Sequence, residues 1–467
     1  MVSESWEFYT AALGAMSSLA TTRINQKLQS IPHSLAYQAT ADAKNVVIIG
    51  GSYAGARLAQ RLTETLPTGY RAVLIERNSH FNHFFVFPRF GVVKGKEEAA
   101  FIPYDNLTKG APQGIFQHIR ATATEITPKK VKLSNGDEIE YEYLTVATGS
   151  WQPAPSKFDV LEKRDGVKAF QATQKAVEVA KSITVVGGGP VGVQMASDIK
   201  SYYPTKDVTL VHSRENVMNA FGPRLQGVVA DSLKSLGVSV LLGERPSVKA
   251  DGSSAAEKGQ NVGPGSLVFR NGSQKAYDLV LPCTGQRPNS SILSHLLPSA
   301  IDPKSGQILV RPTLQVNPGP ASEKTADSNT AASNRIFSLG DVAQTGGPRF
   351  ARAARAQAEV VTSNILSLIQ GQKEKLVEYH PAMYEGAIKL TLGKEDYVFC
   401  GRTADGREIM KFGKENASNE NFELASAWKE LRARLDTPTP IRTGWEERVA
   451  AFDKHKQRFN ATWGTAR

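Results

Sequence analysis

A chain of 467 residues that is 40% hydrophobic and 22% charged buries more than one core, so two or three domains are expected and a disordered or low-complexity protein is excluded. Lys and Arg (56) exceed Asp and Glu (45), a net charge of +11 that favours anionic ligands or surfaces, but the charge is spread along the chain and nucleic acid is not expected as a partner. Only two cysteines occur, Cys283 and Cys400, in no paired spacing, which argues against a disulfide framework, a cysteine relay and a zinc site; no apolar run approaches the ~20 residues of a membrane span.

Residues 1–43 predict an amphipathic helix, with Trp6, Tyr9, Leu13, Met16 and Ala20 on one stripe and Phe8, Ala12 and Leu19 widening it. Its apolar face is expected to dock on the protein's own surface or to lie in a membrane interface. The N-terminus lacks the basic leader and apolar core of a secretory peptide, and the acids Glu4 and Glu7 make it a poor transit peptide. The expected compartment is the cytosol, with peripheral membrane contact through this helix as the addition.

From Asn45 a strand over 46–49, a glycine-rich turn, a helix through Leu58 and Leu62 and a strand over 72–75 form a βαβ unit. The turn reads Gly50-Gly51-Ser52-Tyr53-Ala54-Gly55, with backbone N–H groups and a helix N-terminus able to receive a diphosphate; Ser52 stands where glycine is usual. Glu76, at the end of the second strand, suits the two hydroxyls of a ribose. A strand over 143–146, preceded by the turn at Asn135, Gly136 and Asp137, ends in Ala147-Thr148-Gly149.

The unit then repeats. A strand over 182–186, the turn Gly187-Gly188-Gly189-Pro190-Val191-Gly192, a helix through Ile199 and a strand over 208–211 lead to His212, Ser213 and Arg214 where an acid would otherwise stand. A hydroxyl and a guanidinium there accept a 2′-phosphate that a carboxylate repels, so NADPH is expected along with NADH; otherwise these are solvated residues at a strand end. The run 281–288, containing Gly285, occupies the place after the second unit that Thr148 and Gly149 occupy after the first. Residues 250–265 and 317–334 read as surface insertions. A strand ending in Gly340-Asp341 leads to a helix that begins near Arg349 and Phe350. Beyond residue 376 short strands over 387–392 and 397–401, then helices around 425–435 and 445–459, form a smaller domain.

This order of elements, over about residues 44–435, resembles the two-dinucleotide-binding-domain flavoproteins, especially the apoptosis-inducing-factor-like and ferroptosis-suppressor-like family. The resemblance implies an α/β fold of two Rossmann-like domains and a small α+β C-terminal domain: an N-terminal extension over 1–43, an FAD domain over 44–160 and 286–375, an NAD(P)H domain over 161–285 and a C-terminal domain over 376–467. It implies that Gly50, Gly51, Ser52, Tyr53, Ala54, Gly55, Glu76 and Arg77 hold the adenosine half of FAD. Thr148 and Gly149 would pack on the cofactor, and Gly340 and Asp341 would meet its ribitol and diphosphate. The aromatic segment 80–89 would pass the flavin ring, with Pro88 and Arg89 as contacts and His80 or His83 as a proton donor. Arg349 and Phe350 would approach the pyrimidine edge. Gly187, Gly189, Pro190, Val191, Gly192, His212, Ser213, Arg214 and Gly285 would serve the nicotinamide nucleotide. Gln194 replaces a glutamate that relatives carry near the nicotinamide.

The expected activity is hydride transfer from NAD(P)H through FAD to a quinone-like or other small organic acceptor. Two alternatives stand beside it: an FAD-dependent tailoring enzyme with little nicotinamide use, motivated by Gln194 and the tail 437–467, and a redox-switched flavoprotein that binds a partner or nucleic acid. No metal is expected, and the sequence does not fix the oligomeric state.

Overall fold

The computed structural model describes residues 4–250, 262–319, 328–403, 405–414 and 417–434. Residues 251–261 and 320–327 of the two expected insertions, and the expected helix over 445–459, lie outside the described residues; the described remainder joins the fold, with Gly263–Val268 a strand and Ala332 and Ser333 buried.

Two sheets organise the molecule. The first is fully parallel, in the order Ile336–Ser338, Tyr143–Val146, Lys44–Ile49, Tyr70–Glu76 and Phe116–Arg120. Its central strand explains the order: Val46, Val47 and Ile48 are fully buried on both faces, as a strand covered by helices on each side requires. The second sheet runs Ser239–Leu241, Asp207–Val211, Ser182–Val186, Gln274–Pro282, Gly263–Val268 and Ser247–Ala250; its first four strands are parallel and the last two turn antiparallel. An antiparallel sheet of Ile388–Leu392, Asp396–Arg402 and Glu408–Lys414 follows, then the helix Ala417–Glu430. This third sheet adds Leu390, Val398 and Cys400 to the core of the second.

Both glycine turns stand at the carboxyl ends of central strands, where an open α/β sheet binds its ligands. The two crossings between the nucleotide-binding units meet in a short antiparallel pair, Ser150–Trp151 with Arg287–Pro288. Beside it Thr148 Oγ1 donates to the Asn289 carbonyl (2.7 Å) and Asn289 Nδ2 returns a bond to the Thr148 carbonyl (2.9 Å).

The N-terminal helix spans Glu4–Ala36. It is held by polar contacts: the Tyr9 hydroxyl accepts from Lys411 Nζ at 2.9 Å, and His33 Nε2 meets the Leu66 carbonyl at 2.7 Å. Leu13, expected on a docking face, is 64% exposed.

Candidate functional site

The first cradle is built by glycine. Gly50 has φ +101°, and a Cβ there would lie 2.5 Å from the Ala147 carbonyl oxygen; a Cβ on Gly55 would lie 1.8 Å from the Gly50 oxygen. Only bare backbone lets the strand, turn and helix Tyr53–Thr63 approach this closely. That helix has no acid in its first turn, and Ser52 at its N-cap makes no capping bond through its side chain. Glu76 is buried at the lip, its carboxylate accepting from the Gly51 N–H (2.5 Å), the Asn78 N–H (2.8 Å) and Asn78 Nδ2 (2.7 Å). Arg77 points to solvent and pairs with Asp159 at 3.2 Å.

Gly340, with φ +74°, brings the distant Gly-Asp motif against this helix: a Cβ there would touch the Ala54 methyl at 3.4 Å. Its N–H donates to Gln357 Oε1 at 2.8 Å. Asp341 accepts from Gln286 Nε2 (3.1 Å) and the Ser150 hydroxyl (3.3 Å); burial raises its pKa, opposed by the nearby cations Arg349 and Lys157. Phe350 caps the helix Ala351–Ile369, whose first turn also lacks an acid, and exposed Arg349 precedes it.

Lys157 carries no signal in the sequence, yet it stands within electrostatic reach of both Glu76 and Asp341. Its ammonium donates to the Ser150 carbonyl at 2.8 Å and lies 4.8 Å from the centre of the Phe84 ring. Burial depresses its pKa, followed by repulsion from Arg77. A largely desolvated cation within electrostatic reach of both acids suits a dinucleotide diphosphate.

The aromatic segment gathers on Tyr53. Phe81 and Phe85 contact its ring edge-to-face at 4.9 and 5.6 Å, and Arg355 lies 5.8 Å from its centre. The Tyr53 hydroxyl is 2.9 Å from His83 Nδ1. In the tautomer in which the hydroxyl donates to Nδ1, the ring proton sits on Nε2. Nε2 is buried with no hydrogen-bond partner among the described residues. Burial, then Arg355, pushes the His83 pKa down to about 3, so the expected donor is a neutral imidazole rather than an imidazolium. His80 turns away to the Ser79 hydroxyl at 3.0 Å.

Arg89 departs from expectation. Its Nε donates to Asp198 Oδ2 at 2.8 Å and a terminal nitrogen donates to the Gly393 carbonyl at 3.0 Å, so the guanidinium ties the first domain to the second and to the third sheet. Pro88 is buried in the short helix Phe87–Phe90.

The second cradle repeats the first. Gly187 has φ +126° and a Cβ there would lie 2.6 Å from the Cys283 oxygen; a Cβ on Gly192 would lie 1.8 Å from the Gly187 oxygen. Gly189 caps the helix Pro190–Tyr202, which starts on Pro190 and Val191 with no acid in its first turn. His212 Nδ1 takes the Gly188 N–H at 3.1 Å, the counterpart of Glu76 and Gly51, while Nε2 faces Asn219 Oδ1 at 3.2 Å. Burial lowers the His212 pKa, so the position is neutral where the first cradle is anionic; Ser213 and Arg214 are exposed beside it.

The pyridine nucleotide-disulphide oxidoreductase family matches residues 44–358. The chain belongs to this family. It is 36% identical to Fe-regulated protein 8 of Mycosarcoma maydis over 374 residues, 75% of this chain and 87% of that protein. Ferroptosis suppressor protein 1 of Xenopus tropicalis is 28% identical over 400 residues, covering 84% and 96%. Among solved structures, the sulfide:quinone oxidoreductase of Aquifex aeolicus superposes with a TM-score of 0.64 at 18% identity over 87% of this chain and 94% of that one, a likeness of fold. The chain is thus an FAD-dependent NAD(P)H oxidoreductase of the apoptosis-inducing-factor-like type, with both cofactor classes assigned.

Cys283 and Cys400 are both free, and burial pushes each thiol up to about 12. Neither is a thiolate at neutral pH. Gln194, on the second fingerprint helix, donates from Nε2 to the Thr391 hydroxyl at 3.1 Å, which fastens that helix to the third sheet. Thr148, Gly149 and Gly285 form the joint between the cradles, Gly149 and Gly285 at φ +64° and +83°.

Proposed function

We propose that this oxidoreductase takes electrons from NADPH, and less readily NADH, and delivers them from FAD directly to a quinone-like organic acceptor without a cysteine relay. The observation that carries the reading is the buried Tyr53–His83 pair with its unpartnered Nε2, beside a cradle suited to FAD and in a chain whose two thiols stay protonated.

FAD, when bound, supplies hydride acceptance and onward electron delivery. Glycine backbone and the helix starting at Tyr53 bind its diphosphate, Lys157 balances that charge, Glu76 takes ribose hydroxyls and Asp341 orients the ribitol. Arg349 and the helix N-terminus behind Phe350 favour negative charge on a bound ligand. The second cradle binds the nicotinamide nucleotide, with Ser213 and Arg214 holding a 2′-phosphate that neutral His212 does not repel. His83 Nε2 is placed to hydrogen-bond an acceptor oxygen, with the ring held in position by the Tyr53 hydroxyl at Nδ1. Gln194 fixes the helix that carries the nicotinamide.

The test is anaerobic absorbance of the FAD-loaded protein, before and after NADPH or NADH and then after a short-chain quinone. Rapid bleaching by NADPH, slower bleaching by NADH and recovery on quinone are expected. A flavin that resists both nucleotides, or a reduced flavin that the quinone leaves untouched, refutes the reading.

A further inference from the structure

The N-terminal helix lies outside the stretch matched to the family, and neither cradle uses it. Over its second half the faces are inverted relative to an ordinary surface helix, which turns its apolar stripe to the core. Inward it presents polar groups: Gln26 Nε2 donates to Glu359 Oε2 at 2.8 Å, Gln26 Oε1 accepts from Arg57 at 2.9 Å, and His33 meets the Leu66 carbonyl. Outward it presents Ile24, Leu28, Ile31 and Leu35, which are 59, 60, 53 and 84% exposed.

Steps of four, three and four residues keep these four side chains within an arc of about 60°, on the side opposite Gln26 and His33. Leu13, 64% exposed, falls on the same line three turns earlier. The stripe then runs roughly 33 Å at 1.5 Å per residue. No acid occurs between Glu7 and Asp42, whereas Arg23 and Lys27 are exposed at the stripe's flank.

We propose that this stripe lies in the headgroup and acyl boundary of an anionic bilayer, with the helix parallel to the membrane plane. Five aliphatic side chains flanked by basic and never by acidic groups match such a surface in both apolarity and charge. A second copy of the chain fits less well, because a two-fold pairing along the stripe opposes Arg23 and Lys27 to their own equivalents. No helix among the described residues is long and apolar enough to cross a membrane, so the contact is interfacial. The inference does not depend on the acceptor.

The test is flotation of the full-length, FAD-loaded protein with phosphatidylcholine vesicles with and without phosphatidylserine, alongside its mass by light scattering. Wild type floats with the anionic vesicles and is released by salt. Leu28→Glu with Leu35→Glu weakens partitioning at least about tenfold, and Arg23→Glu with Lys27→Glu removes the preference for phosphatidylserine. Flavin content and bleaching by NADPH stay as in wild type, which separates this outcome from failure of the redox reading. Wild type that stays off the vesicles, a leucine variant that floats as well as wild type, or a dimer that the leucine variant splits would each overturn the proposal.

Discussion

Replacing Arg89 by Met distinguishes a structural cation from a cofactor contact. Arg89 and Asp198 are 8% and 0% exposed and meet at 2.8 Å, so removing the guanidinium leaves a carboxylate in the interior without its counter-charge. Breaking one side of a buried pair costs about 3–5 kcal/mol. The bond to the Gly393 carbonyl is lost as well, adding roughly 1 kcal/mol. A loss of this size lowers the melting temperature by at least about 8 °C at ~2 °C per kcal/mol. Replacing both partners, Arg89→Met with Asp198→Leu, removes the stranded charge and recovers most of the loss. The assay is thermal unfolding with excess FAD, paired with the FAD dissociation constant at a temperature where each variant is folded. If Arg89→Met releases FAD while its unfolding curve is unchanged, the cation serves the cofactor and the argument fails.

Other changes follow from the same geometry. Gly192→Ala, which sets a methyl against the Gly187 carbonyl, abolishes bleaching by NADPH while FAD content is retained; bleaching at the wild-type rate would contradict the second cradle. Arg214→Ala raises the KM for NADPH about tenfold and leaves that for NADH within about twofold, as loss of one charge-assisted bond to a 2′-phosphate requires. Lys157→Met weakens FAD binding by at least about tenfold and Lys157→Arg by less, read by fluorescence release of the flavin. His83 gives a pH signature: its folded pKa, about 3, lies below the unfolded value, so the unfolded chain binds the extra proton and stability falls as pH drops from about 6.5 toward 3. Between pH 6.5 and 4.5 that amounts to roughly 2 kcal/mol, since one pKa unit is about 1.4 kcal/mol and the unfolded imidazole is already half protonated at the upper end, and His83→Leu flattens the corresponding part of the denaturant-midpoint profile.

Where the deciding physics is local, the sequence spoke clearly. The run over 46–49 is apolar because its strand is covered on both faces, and Gly50, Gly55, Gly187 and Gly192 are glycines because a Cβ at each would strike backbone. Those two facts sufficed for the two βαβ units and their turns, and the resemblance they carry implied the cofactor classes. The strand Phe116–Arg120 went unread because it is a sheet edge, with Gln117, His118 and Arg120 exposed and no apolar alternation to mark it. Lys157, the Arg89–Asp198 pair and the Gln194–Thr391 bond depend on partners brought together only by the tertiary fold, so no window of sequence contains the signal.

The N-terminal helix and the segment 80–89 show the same division between pattern and direction. Periodicity marked the helix and aromatic content the segment, yet neither says which side chains meet the protein. On the helix, Gln26 finds Glu359 and Arg57 and so turns inward, leaving the leucines outside. In the segment, His83 is drawn in by the Tyr53 hydroxyl while Phe85 remains 53% exposed. On the helix a polar side chain with specific partners outweighs several apolar neighbours, because an unmet buried polar group costs more than an exposed methyl gains by burial, whereas in the segment Phe81, Val86 and Phe87 are buried along with His83. His83 Nε2 is not the only buried side-chain atom without a hydrogen-bond partner among the described residues; what singles it out for the proposed function is its place on Tyr53, at the start of the first fingerprint helix.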